Sequence, residues 1–441
     1  MLLLVFCVAP KCGHLFRMLP PDQVADLAEQ IDALLHDSFC RILDLELTPL
    51  QARQLQFKVS SGGMGLRARG GARAAAAFVA SWVAAYPETL RRCGRVLRDG
   101  PLALELREAC LSLRNAGAAD VDPDKEEFWD DAERRPGRLT QASLMTRLDQ
   151  QALTTWLSQA PTEDVARLHS CSEWAAGAAL LRCPTDRVLT LADDDYRVAV
   201  CERLGVPLCP EGLCEHVFQS GGVCGFPQRN GRHAHCCKGL SWVRTSHRHN
   251  PLVWEWCHIL RLAGRAVHIE QRDPSMGPRA KLDLVEYVSD AGGPAAYDVS
   301  VVTAFRDDER FVSQCADTPG YAAQFRHSHK LTKQYPHRVP GAKLVPLVVE
   351  DGGRWHASVP SLVRGLARAY VARTAGLDPS AVAFVVDRWA ARLSAILPRG
   401  NAATVRAAGY SAGAPPPSGD ALPGLACCIP EGDSAFELLV Q

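Results

Sequence analysis

The 441-residue sequence predicts an α+β chain of mixed class: a helical N-terminal half, a short Cys- and His-rich segment, and a small mixed sheet flanked by helices. Three observations predict it. Residues 1–205 are dominated by Ala, Leu, Glu and Arg, with apolar positions three and four apart. Residues 206–250 lose that periodicity and gain Cys, His, Gly and Arg. Beyond them, short runs of strand-forming residues are separated by Gly and Pro.

In the first half, helices are predicted over Asp22–Leu43, Ala74–Tyr86 and Leu139–Gln159, punctuated at Pro20-Pro21, Gly62-Gly63, Gly70-Gly71 and Pro136-Gly137. The acid-rich stretch Asp120–Glu133 reads as an exposed connector, and Asp193-Asp194-Asp195 as the first turn of a helix, where carboxylates favour the dipole. After residue 250 a short helix has Asn250 as N-cap, Pro251 at its first position and Gly264 just past its end. Strands are predicted over Ala266–Gln271, Lys281–Val288 and Tyr297–Thr303, then a helix over Pro319–Gln334. Leu344–Glu350 reads as a strand whose Pro346 places it at an edge. Helices over Ser361–Thr374 and Asp378–Leu397 follow, the second capped by Asp378, and Ser411–Gly424 reads as flexible.

Composition narrows the class. Apolar content of 47% excludes wholesale disorder. Lys plus Arg equals Asp plus Glu at 49 each, so any nucleic-acid contact must come from local asymmetry. One such region exists: between Glu215 and Glu255 there is no acidic residue, yet Arg229, Arg232, Lys238, Arg244, Arg248 and five histidines fall there. The seventeen cysteines are odd in number and scattered singly through helical-looking sequence, which suits buried reduced thiols rather than a disulfide framework. The apolar opening Met1–Phe6 lacks a basic flank, and no run reaches about 18 uninterrupted apolar residues, so an intracellular chain without a membrane span is expected.

Cys214, Cys224, His233 and Cys237 have nine, eight and three residues between successive members. Three thiolates and an imidazole suit a structural, tetrahedral Zn²⁺, and a Gly-rich segment with little apolar surface has use for the folding energy a metal supplies. Cys209, His216, His235 and Cys236 lie close enough to substitute in that set.

Asp283 and Asp298 are separated by fourteen residues on two predicted strands. Alternate strand residues share a face, so Asp298 points with Ser300 and Val302 while Val299 and Val301 enter the opposite layer. If the strands are neighbours, both carboxylates can reach one Mg²⁺, with Glu270 on the preceding strand as a third ligand. Lys330 and Lys333, three apart on a predicted helix, would share a face and supply an ammonium to offset phosphate charge, and Tyr335 follows.

Taken in order, the Cys/Cys/His/Cys series, Arg248-His249-Asn250, Lys281-Leu282-Asp283, Asp298-Val299-Ser300 and Lys330, Lys333 and Tyr335 resemble the restriction-like endonuclease domain downstream of reverse transcriptase in site-specific non-LTR retrotransposons. That resemblance implies a CCHC zinc motif beside a PD-(D/E)XK-type core. In this variant the second acidic residue is followed by Val and Ser or Thr, and the lysine comes from the next helix. Gln56–Arg67 is similar to the segment after the polymerase palm in algal and protist retroelements, and Asp387-Arg388-Trp389, Arg392-Leu393-Ser394 and Arg399–Ala402 look like their C-terminal end. The similarity covers about residues 15–405, and its specificity lies in the order of short motifs. Leu282 stands where the family often has Pro, and no polymerase active site is present.

The expected organisation is a helical region resembling a thumb or linker over 1–205, a CCHC zinc segment over 206–240, an endonuclease core over 241–375, a C-terminal helix over 376–410 and a tail over 411–441. The resemblance implies a DNA endonuclease that nicks a target for integration, in the nucleus where that target is genomic. Asp283, Asp298, Lys330, Lys333 and Glu270 would be catalytic, with Arg248, His249 and Tyr335 on the substrate. Structural zinc and catalytic magnesium are the expected cofactors. DNA, the element's RNA and the reverse transcriptase region of the same polyprotein are the expected partners. The alternatives are a catalytically silent, zinc-stabilised nucleic-acid-binding remnant and a helical interaction protein.

Overall fold

The computed structural model describes residues 3–93, 101–218, 220–272, 281–286, 295–306, 308–335 and 343–409. Its first half is helical, as the spacing predicts. After the short α1 (Leu15–Met18), α2 (Ala25–Leu43) buries Ala28, Leu35, Phe39 and Leu43, a stripe with helical periodicity. A capping box between Thr48 and Gln51 starts α3 (Pro49–Leu55).

Helices α4 (Ala72–Cys93), α5 (Pro101–Asn115), α6 (Glu126–Arg134) and α7 (Gln141–Gln159) share one apolar cluster. Here the exposed connector expected over Asp120–Glu133 is corrected. Its second half is helix α6, because Phe128, Trp129 and Ala132 lie on one side and bury against α4. Trp82 stacks on Tyr86 at 5.1 Å, and Tyr86 meets Trp129 at 5.3 Å. Then come α8 (Thr162–Ser170) and α9 (Asp193–Leu204), the latter with the three predicted aspartates in its first turn.

Helix α10 (Ser241–Arg244) runs through a π turn, Thr245–His249, into α11 (Asn250–Leu262). Asn250 is therefore inside continuous helical backbone rather than the cap expected from sequence. Gly264 does end α11, with φ +83°.

The sheet has the order β1 (Val267–Arg272), β2 (Lys281–Glu286), β3 (Ala295–Val302), β4 (Lys343–Glu350). The first two pairings are antiparallel, and β3 to β4 is parallel. A parallel neighbour needs a crossover. Helices α12 (Glu309–Asp317) and α13 (Tyr321–His329) supply it. The sequence reading missed α12, although Asp308 caps it by accepting from the Arg310 and Phe311 backbone N–H groups at 3.0 and 3.3 Å. Pro346 sits on β4, which pairs only with β3 among the described strands.

Both faces of the sheet are covered. Tyr297, Val299, Leu347 and Val349 pack with α11, α14 (Val359–Arg373) and α15 (Ala381–Ala407). Val302 and Val348 pack with α12, α13 and Ala166 of α8. Helix α15 outruns its predicted end and continues through Pro398 to Ala407, because Ala402, Thr404 and Val405 stay buried beyond the proline. Gly400 lets it pass close: a Cβ there would lie 2.6 Å from both the Arg248 Cβ and the His247 carbonyl oxygen. Residues of α9, the Cys/His segment, α10 and α15 form a single cluster (Val198, Cys201, Leu208, Cys214, Cys237, Val243, Ala402 and Val405 among them), so the segment is wedged between the two halves. No described helix is long and apolar enough to cross a membrane. The tail expected to be flexible lies outside the described residues.

Candidate functional site

Two constellations carry chemistry. The first is the Cys/His group. Leu213 to Pro227 and Val217 to Val223 pair across a small loop that carries Cys214 and Cys224. The turn Arg229–His235 then brings His233 and Cys237 back to it. The four ligand atoms lie within 4.8 Å of one another, the only such group of three or more metal-donor side chains among the described residues. Cys214 Sγ is 4.0 Å from Cys237 Sγ, Cys237 Sγ 3.8 Å from Cys224 Sγ, and Cys224 Sγ 3.2 Å from His233 Nε2. A tetrahedron with Zn–S of ~2.3 Å has S···S edges of about 3.8 Å, so this group could bind a metal such as zinc. Burial foremost, with the neighbouring Cys237 and Cys224, pushes the Cys214 thiol up to about 12. A thiolate there needs a cation beside it.

The neighbours are otherwise engaged. His235 Nε2 is 2.5 Å from Glu202 Oε1, and its Nδ1 faces the Arg248 guanidinium at 3.3 Å. The Cys236 thiol donates to the His233 carbonyl oxygen at 3.3 Å. Every described cysteine is free of disulfide bonds.

The second constellation lies on the sheet. The β2–β3 ladder has Leu284 opposite Tyr297 as its final pair. One step further would set Asp283 against Asp298. There the strands part, and Asp283 Oδ2 accepts the Val299 backbone N–H at 2.7 Å in place of a strand carbonyl. His249, at the end of the π turn before α11, places Nε2 3.3 Å from the same oxygen.

Asp298 is 3% exposed and its Oδ2 pairs with the Lys330 ammonium, itself 4% exposed. Oδ1 accepts the Tyr335 hydroxyl at 2.9 Å. The alternation predicted for β3 holds: Val299 enters the layer of α11, α14 and α15, while Asp298 shares the other face with Val302. A second π turn, Lys330–Gln334, lets one residue point inward and the next ones out.

Charges in this site act on one another. Burial pushes the Asp298 carboxyl above the usual carboxylate range despite the Lys330 ammonium, and the Asp283 charge adds to the rise. Burial likewise pulls Lys330 below the usual lysine range, against the opposing pull of Asp298. Burial would lower His249, but its hydrogen bond to Asp283 and the charge of that group outweigh it and leave the imidazole raised.

The structure thus brings Asp283, Asp298, Lys330, Tyr335 and His249 together. It does not include Lys333, which is exposed while Lys330 is buried, because the π turn breaks the i, i+3 alignment of a regular helix. Arg248 is also corrected. It is 5% exposed, and its guanidinium binds His235 and, at 3.1 Å, Asn401 Oδ1. A direct substrate contact by that side chain is incompatible with this burial. Glu270 falls within β1, and its side chain lies outside the described ones. Among the described side chains no group of three metal donors lies at the sheet, and magnesium is unsupported there. Sequence reasoning missed Glu202 and Asn401, which join the Cys/His segment to α9 and α15. Asn401 Nδ2 donates to Glu202 Oε2 at 3.1 Å and to the Asp351 carbonyl oxygen at 3.0 Å. The only local signal was the Arg399–Ala402 motif.

No family model and no curated protein matches this chain.

Proposed function

We propose that the protein is a metal-dependent endonuclease, with structural zinc in the Cys214, Cys224, His233 and Cys237 group. The observation that carries this reading is the convergence of Asp283, Asp298 and Lys330 on one sheet face, at the point where β2 and β3 part. Two carboxylates beside a buried ammonium form a donor set for a hard cation and a phosphate. Asp283 and Asp298 would hold Mg²⁺, which supplies water activation and charge neutralisation when bound.

The chain's own groups would do the rest. Lys330 offsets charge on the phosphate oxygens, and its pairing with Asp298 competes with the cation for Oδ2. Tyr335 fixes the Asp298 carboxyl in its plane through Oδ1. His249 holds Asp283 from the other side. DNA is the proposed substrate, so the nucleus is the proposed place of action when that DNA is genomic. The element's RNA and a reverse transcriptase region of the same polyprotein are the other proposed partners. The mixed sheet with its flanking helices would then be a PD-(D/E)XK-like core.

The test is conversion of supercoiled plasmid to nicked circle with Mg²⁺, comparing the full chain with Asp298→Ala. Loss of nicking supports the reading, and equal activity removes Asp298 from the mechanism.

One observation favours a second reading. Asp298 already pairs through Oδ2 with Lys330 and accepts the Tyr335 hydroxyl through Oδ1, and one Asp283 oxygen accepts the Val299 N–H. A catalytically silent, zinc-stabilised nucleic-acid-binding remnant would keep such internal pairs. It predicts salt-sensitive binding to DNA without cleavage under any divalent ion.

A further inference from the structure

The N-terminal helices enclose a cleft of about 790 Å³ far along the chain from the sheet residues, between the segment before α2, the loop after α3, and helices α4 and α7. Five cationic residues line it: Arg17, Lys58, Arg67, Arg69 and Arg73. No Asp or Glu is among the lining residues.

The counter-charges are few and shared. Asp149 serves three of the five, lying 3.3 Å from the Lys58 Nζ, 3.3 Å from Arg67 and 2.8 Å from Arg73. Asp32 accepts the backbone N–H groups of Arg69 at 2.8 Å and Gly70 at 3.0 Å. Arg17 donates to a neutral partner, Gln141 Oε1, at 3.1 Å. The Arg69 Nε is buried and makes no hydrogen bond to a described residue. Two carboxylates therefore face five cations, an excess of positive charge converging on one concave space. Lys58 and Arg67 keep about a third of their side chains exposed, 37% and 35%, so their charged ends remain open to an incoming group. Phe16 and Met145 add an apolar wall.

Such a cleft is matched by a ligand with several phosphates and an apolar part. Guanidinium forks pair bidentately with phosphate oxygens, and lysine meets them as a point charge. The volume lies inside the range of roughly 300–1,000 Å³ usual for ligand sites. A cleft crowded with like charge is also better satisfied with an anion present than without one.

We infer that this cleft is a second anion site, distinct from the sheet, that takes the phosphates of a nucleotide, either free or within a nucleic-acid strand. Asp149 acts as an internal stand-in that holds Lys58, Arg67 and Arg73 gathered until the phosphates arrive. The site does not depend on the nuclease reading, since none of its residues contributes to the Asp283 and Asp298 constellation.

The experiment measures binding of the full chain to a fluorescent single-stranded oligonucleotide at low salt, with ATP and inorganic tripolyphosphate as competitors. The double variant Lys58→Gln with Arg67→Gln alters two partly exposed residues, so folding should survive, and an unchanged thermal midpoint checks this. It should weaken oligonucleotide binding at least tenfold and flatten the salt dependence. Asp149→Asn should tighten binding several-fold, the opposite of what a purely structural aspartate would do. Competition by ATP at concentrations that leave the sheet site unaffected identifies a free nucleotide as the ligand. Binding of the strand without such competition identifies a strand. Wild-type affinity in the Lys58/Arg67 double variant, or failure of all three probes to bind, overturns the proposal. Plasmid nicking measured in the same variants separates this outcome from failure of the nuclease reading.

Discussion

Asp283 accepts the backbone N–H of Val299 through Oδ2 at 2.7 Å, the amide one residue beyond Asp298. A side chain has replaced a carbonyl in the ladder, so β2 and β3 separate at the two acidic residues. Beside that separation Asp298 stays buried, and Lys330 reaches it there. A regular ladder continuing through this point would have closed the gap.

The two lysines should behave differently. Lys330→Ala is expected to abolish plasmid nicking, because it also leaves the buried Asp298 charge without its partner. Lys333→Ala, at an exposed position, is expected to stay within about twofold of wild type. Nicking rates of the two variants, side by side, decide the matter; equal losses would mean that the lysines act as a pair after all.

Removing Lys330 or Asp298 should also cost stability. Breaking a buried ion pair leaves an uncompensated charge, at about 3–5 kcal/mol. Denaturant unfolding of Lys330→Ala checks this, and Lys330→Met, which fills the space without a charge, is expected to lose as much. The double variant Lys330→Met with Asp298→Asn should recover part of that loss.

His249 should titrate above the ordinary histidine range of about 6.5. Below about pH 6.5 both folded and unfolded forms carry the proton and the pair with Asp283 contributes fully, and that contribution is lost as pH rises through the folded value. In Asp283→Asn the two largest raising effects go while burial stays, opposed only by Asn250 and Asp298, so the midpoint should fall. An NMR titration of the ring protons reads both, and an unchanged midpoint in the variant would disconnect the two residues.

Glu350 makes the fold as a whole pH-sensitive. Burial pushes its carboxyl up to about 7, although its Oε1 accepts the Ala323 backbone N–H at 3.0 Å. A raised folded value means that stability present below about pH 4.5 is lost as pH rises to 7, on the order of 3 kcal/mol. The thermal midpoint of Glu350→Gln should exceed that of wild type near pH 7 and converge with it near pH 4.5.

Metal analysis separates the ligand set from its neighbours. Cys237→Ser should lose zinc and its thermal midpoint should drop by several degrees, and chelation of the wild type should do the same. Cys236→Ser should keep both, since the Cys236 thiol is spent on a backbone carbonyl. Arg248→Ala should destabilise by about 1.5–3 kcal/mol through loss of its buried hydrogen bonds. Its effect on DNA affinity should be no larger than that loss explains.

Sequence by itself determined the local chemistry: where α2, α4 and α7 run, which four residues could gather a metal, and which face of β3 carries Asp298. Each of these follows from a period or a spacing that is read within one segment. Helix α6 escaped because acidic residues masked the Phe128, Trp129 and Ala132 face, and only packing against Trp82 and Tyr86 reveals why it folds. What the tertiary structure alone decided concerns partners far apart in the chain. It chose Lys330 over Lys333 through a π turn that spacing cannot disclose. It took Arg248 inside, between His235 and Asn401, where the sequence had placed it on the substrate. A residue's neighbours across the fold depend on which layers pack together, and that choice is made by the whole core rather than by any one segment.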